Sequence, residues 1–191
     1  AEARELLVRV FSQVHPEMGR FIDHAFENRW IDLYPREGKE GGAFCAGFHQ
    51  MKISRVLTNF VGSFSDVSTL AHELGHGWHN VCLERVPVLM ADPPMPLAET
   101  ASIFNEKLLT HEGRKTADDE TRFALLENSL MEATQVIVDI YSRFLFESAV
   151  FEARKTHIPT AAELNHMMLD AQRESYGDGL DPEVMHSGMW I

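Results

Sequence analysis

The run His72-Glu73-Leu74-Gly75-His76 carries the side chains best suited to chemistry. On a helix, two histidines four residues apart point the same way, so their imidazole nitrogens can grip one metal ion. A glutamate next to the first histidine then lies beside a water held by that ion and can take a proton from it. The chemistry implied is metal-assisted hydrolysis. Zinc in hydrolases usually has three protein ligands and one position left for water, whose pKa it lowers to roughly 7. A third ligand must therefore come from elsewhere in the chain.

Glu99 is the candidate for that third ligand, because it opens the next helix in sequence and lies off that helix's apolar stripe. His72, His76 and Glu99 would make a His₂Glu site, with Glu73 left over as the catalytic base. Glu106, seven residues past Glu99, either hydrogen-bonds a ligand histidine and fixes its tautomer or is a plain surface carboxylate. His79 is either a further donor behind the ligands or a solvated histidine at the core edge. Zinc is the expected ion, one per chain, although manganese or cobalt could take the same ligands.

These residues need elements to hold them. Apolar periodicity predicts helices over 2–14 and 16–30, the second opened by Pro16. Residues 33–42 read as loop. The Gly42-Ala43-Phe44-Cys45-Ala46-Gly47-Phe48 segment and residues 54–60 read as two short strands beside the metal helix. That helix is expected over 65–84, started by Ser65-Asp66. Its buried stripe is Val67, Leu70, Ala71, Leu74, Trp78, Val81 and Cys82, with both histidines roughly opposite. Gly75 and Gly77 weaken a helix unless something comes close to them.

A proline-rich connection over 85–96 leads to a helix over 97–112, with Leu97, Ala101, Phe104 and Leu108 as its buried stripe. One long helix over 118–155 follows. It is apolar on nearly all sides from Val136 to Phe151 and so reads as the central buried helix. Thr160 with Glu163 forms a capping box for a last helix ending near 175. Tyr176 to Pro182 is a turn-rich loop. The fold class expected is mainly α with a small antiparallel β element.

Composition bounds the partners. The 191 residues suffice for a hydrophobic core, and 45% hydrophobic with 24% charged residues is ordinary for a globular chain. A net charge of −12 argues against nucleic acid. No apolar run is long enough to span a membrane. Cys45 and Cys82 are too few for a disulfide scaffold and fit a reducing compartment. No feature assigns an oligomeric state. The start at Ala1, inside a helix and without Met, and the apolar end Met189-Trp190-Ile191 read as a piece of a longer protein.

The runs Ser65 to His76 and Glu99 to Glu106, the Gly42-Ala43-Phe44 segment and the Tyr176–Pro182 loop together resemble the oligoendopeptidase F branch of the thimet-oligopeptidase-like zinc metallopeptidases. The resemblance covers nearly the whole chain. It implies a zincin-like catalytic domain of gluzincin type, with ligands His72, His76 and Glu99 and base Glu73. It implies a cytoplasmic enzyme hydrolysing short peptides, and a strand near Gly42, Ala43 and Phe44 that pairs with substrate backbone. The family's N-terminal lobe, and the His- and Tyr-bearing substrate segment that follows such a loop, have no counterpart within residues 1–191. Low peptidase activity of this single catalytic-domain portion is therefore expected, since loss of an oxyanion donor lowers turnover by about 10²–10³.

Two rival readings use the same residues. Glu73-x-x-His76 and Glu163-x-x-His166 could be the paired motifs of a di-iron carboxylate bundle. That leaves His72 without a role and sets glycine-rich strands in a helical bundle. A non-catalytic zinc-binding domain would instead close the site with a fourth, commonly cysteine, ligand.

Overall fold

A computed structural model describes residues 2–191. Its helices are α1 (Glu2–Val14), α2 (Pro16–Glu27), α3 (Phe64–Leu83), α4 (Met95–Thr116), α5 (Asp119–Thr134), α6 (Ile140–Ala153) and α7 (Ala161–Tyr176). Strands β1 (Ile31–Asp32), β2 (Phe44–Phe48) and β3 (Ile53–Leu57) lie between α2 and α3. Two compact units divide the chain, one up to Asp118 and one from Asp119 to Ile191.

The first unit holds the candidate site. Its sheet has the order β1-β3-β2, with β2 antiparallel and β1 parallel to β3. The expected antiparallel pair is present, and β1 makes the sheet mixed. Because β3 occupies the centre, β2 keeps one edge without a strand partner among the described residues. The core gathers Leu7, Val10 and Phe11 of α1, Phe21, Ile22 and Ala25 of α2, Val56 of β3, Leu70, Ala71 and Leu74 of α3 and Leu109 of α4.

α3 buries the stripe its sequence predicts at Val67, Leu70, Ala71 and Leu74, but Cys82 near its end is exposed. The helix begins at Phe64, and its cap lies two residues before the expected Ser65. Ser63 is the N-cap, its hydroxyl accepting from Asp66 N at 3.1 Å, while Asp66 Oδ2 accepts from the Val61, Gly62 and Ser63 amides. Asp66 thus satisfies several donors that the helix start would leave open.

α4 departs most from its sequence pattern in this unit. Leu97 and Phe104, expected inside, are 59% and 53% exposed, and the buried positions are Ser102, Asn105 and Leu109. The reason lies in the partner helix. A Cβ on Gly75 would stand 2.3 Å from Asn105 Nδ2 and 2.9 Å from the Ser102 Cα. α3 and α4 cross too closely there for large side chains, so the contact face is small and polar. Gly77 does the same for α2, since a Cβ there would meet the Phe21 ring at 2.7 Å.

In the second unit the expected long helix is interrupted. A π-helical turn over Gln135–Asp139 separates α5 from α6, with the Ile140 amide donating to the Gln135 carbonyl. The expectation of a central buried helix does not hold. On α6 only Ser142 is buried, while Ile140, Tyr141, Phe144 and Phe151 are exposed. An apolar sequence records a preference for cover, and within this unit α6 packs against α7 while those four side chains stay exposed. The Thr160–Glu163 capping box of α7 forms as expected. No helix among the described residues is long and apolar enough to cross a membrane.

Candidate metal centre

α3 presents His72 and His76 on the side away from Leu70 and Leu74, with their Nε2 atoms 3.2 Å apart. α4 brings Glu99 to the same point. Its Oε2 lies 3.2 Å from His72 Nε2 and 3.7 Å from His76 Nε2. Glu99 sits in the second turn of α4, since the helix begins at Met95. It is therefore past the first turn, where the helix dipole alone would favour an acid.

The three atoms suit a metal ion by geometry and by chemistry. Ligand bonds of about 2.0–2.1 Å at tetrahedral angles place donor atoms about 3.3–3.4 Å apart, and the observed edges bracket that spacing. His72 Nδ1 hydrogen-bonds Glu106 Oε1. A carboxylate only accepts, so the ring proton is on Nδ1 and the Nε2 lone pair faces the other two donors. With Nε2 unprotonated on both rings, two imidazoles and a carboxylate would offer lone pairs to one point, a set that fits a cation. Among the described residues, this is the group of histidines, cysteines and acids close enough to hold one, with ligand atoms within 4.8 Å of one another. Glu106 is thus hydrogen-bonded to a histidine of the group and largely covered rather than lying on the open surface.

Glu73 is only 6% exposed, beside the triad in the same cleft. Burial pushes its carboxyl up to about 7; His72 opposes this, and the Glu99 and Glu106 carboxylates add to it. Burial also works against a charged His72 ring, but Glu106, Glu73 and Glu99 outweigh it and raise that pKa. His76 is lowered by burial and by the positive charge of His72, with Glu99 opposing. Half-buried His79 reaches the site through charge, pushing His76 the same way.

The cleft occupies ≈ 630 Å³. Its walls include Ala43, Phe44 and Cys45, at the start of the free-edged strand β2, facing His72, Glu73, His76 and Glu99. Gly42, also expected to bind substrate, has a left-handed φ of +74° and gives its carbonyl to Asn59 Nδ2 at 3.0 Å. It shapes the turn into the strand. Cys45 adds no reactive thiol, because burial and then the Glu73 charge push its pKa up to about 12.

The second motif of the di-iron reading is engaged elsewhere. Glu163 accepts from the Thr160 amide at 2.8 Å and pairs with His157, and His166 faces Asp170 at 3.5 Å. One contact escaped the sequence reading. The buried Ser102 hydroxyl donates to Glu99 Oε2 at 2.9 Å. Its signal was the three-residue spacing from Glu99, which puts both on one side of α4.

The profile of peptidase family M3 matches residues 8–186. The chain belongs to peptidase family M3. It is 34% identical over 180 residues to the chromosomal oligoendopeptidase F of Lactococcus lactis subsp. cremoris, covering 92% of this chain and 29% of that protein. An oligoendopeptidase F homolog of Lactococcus lactis subsp. lactis (strain IL1403) is 35% identical over 171 residues, or 86% of this chain and 28% of the relative. The chain thus spans under a third of the length of these curated relatives. A crystal structure of a protein from Chlamydophila abortus, described as a peptidase, superposes with a TM-score of 0.73 at 29% identity, covering 93% of this chain and 30% of the other. PZ peptidase A, solved with an inhibitor, gives a TM-score of 0.76 over 90% of this chain and 30% of that one; at 21% identity this shows the shared fold. The helical, zincin-like architecture expected from the sequence is that of M3 peptidases.

Proposed function

We propose that this chain carries the catalytic centre of a zinc-dependent oligopeptidase that cuts short peptides. The observation that carries the reading is the convergence of His72 Nε2, His76 Nε2 and Glu99 Oε2 beside buried Glu73. His72, His76 and Glu99 would hold the ion. When bound, zinc supplies Lewis acidity to a peptide carbonyl and to the attacking water. Glu73 takes the proton of that water on its carboxylate and returns it to the departing amine. A pKa near neutrality suits a group that must do both. Glu106 holds the His72 ring by its Nδ1 proton.

The free edge of β2 offers backbone donors and acceptors to an extended peptide, with Ala43 and Phe44 at the mouth of the cleft. Adding a strand to such an edge binds main chain without demanding a sequence, which suits an enzyme for varied short peptides. The free cysteines Cys45 and Cys82 suit the cytoplasm.

The test combines metal analysis with cleavage of a quenched fluorescent peptide. Wild-type chain should retain one zinc and cleave, more slowly than a full-length relative. Glu73→Gln should keep the zinc and lose about 10²–10⁴ in turnover, whereas His76→Ala should lose the zinc. Release of zinc by Glu73→Gln would make Glu73 a ligand and overturn the assignment. So would a fourth protein ligand closing the site.

A further inference from the structure

We infer that Ser102 is a positioning residue that aims the Glu99 carboxylate at the two histidines. The inference rests on the metal-site reading above and adds to it a residue that ordinary helix propensity does not explain. A serine inside a helix usually satisfies its hydroxyl on a carbonyl three or four residues back. Ser102 has that option in the Glu99 carbonyl, at 3.0 Å. Its Oγ also lies 2.9 Å from Glu99 Oε2, the oxygen that faces His72 Nε2 and His76 Nε2.

Two properties make this contact a directing one. Ser102 is fully buried, so water does not compete for its single proton; of the two Glu99 oxygens within reach, the carboxylate Oε2 is the stronger acceptor because it is charged. Its backbone is also held, because Ser102 Cα sits where α3 comes closest at Gly75. Glu99 is by contrast a long side chain, 34% exposed, with rotamers open toward solvent. A fixed donor on a rigid helix selects one of those rotamers before any ion arrives. Ligand groups held in this way bind metal more tightly than groups ordered by the ion itself.

The experiment is a double-mutant cycle on zinc affinity, measured by chelator competition on the full chain. Ser102→Ala should weaken zinc binding about 10–100-fold in the wild-type background. In a Glu99→Ala background the same substitution should change affinity less than about twofold, because no carboxylate remains to be aimed. An equal loss in both backgrounds would mean that Ser102 merely supports the helix crossing, and would overturn the proposal. No loss in either background would overturn it too, as would failure of Ser102→Ala to fold. Absence of zinc binding by the wild-type chain would instead remove the metal-site reading, before any variant is made.

Discussion

α3 and α6 are both rich in apolar residues, yet they end in opposite surroundings. α3 buries Val67, Leu70, Ala71 and Leu74 and leaves its histidines facing a cleft. α6 buries Ser142 alone, and Phe144 is 62% exposed. The difference lies in how their sequences divide the helix surface. α3 has a stripe, so one orientation satisfies its apolar residues and the opposite side is free to carry chemistry. α6 has no polar side to set an orientation, so its composition names no buried face. A helix that carries a site needs two distinguishable faces, and of these two helices α3 has them.

Paired substitutions test that contrast directly. Leu74→Ala should destabilise the first unit by about 2–5 kcal/mol, since Leu74 is fully enclosed. Phe144→Ala should fall within about ±0.5 kcal/mol of wild type, as exposed positions do. Urea unfolding of both variants reads the difference, and equal losses would mean that Phe144 is covered in solution. Gly75→Val should lower stability by about 1–3 kcal/mol through overpacking against Ser102 and Asn105. It should also weaken zinc binding, because α4 would carry Glu99 away from the histidines. Unchanged zinc affinity in a folded Gly75→Val chain would show that the close crossing does not set the site.

The smallest effects are expected at the α7 cap. Thr160→Ala should cost about 1 kcal/mol, read from the unfolding midpoint. The Thr160 amide, then its hydroxyl and His157, hold the Glu163 carboxyl down at about 2, below its ordinary 4.5. A depressed carboxyl stabilises the fold above its ordinary pKa, and this contribution fades as pH falls from 4.5 through about 2. Glu163→Gln should flatten that part of the stability curve relative to wild type. Parallel curves for the two proteins would remove Glu163 as a source of acid sensitivity.

Several elements were legible because their signals are local. Pro16 opens α2, Thr160 with Glu163 caps α7, and the α3 stripe follows from spacing alone. Other features were misread because their causes are not local. On α4 the apolar residues Leu97 and Phe104 suggested the wrong face. The true contact face is Ser102, Asn105 and Leu109, chosen by what Gly75 on another helix leaves room for. The two-residue strand β1 has too little sequence to carry a period, and it exists through pairing with β3.

Sequence alone supplied the candidate donors: two histidines one helical turn apart, a glutamate between them, and Glu99 as the partner to look for. Spacing along one helix is a local property, so it survives without knowledge of the fold. Tertiary structure alone decided that Glu99 Oε2 arrives within 3.2 Å of His72, that Glu106 meets the Nδ1 side of that ring, and that the Ser102 hydroxyl lies beside the carboxylate. Those outcomes depend on how closely two helices cross, and that distance is set by side chains on both of them together.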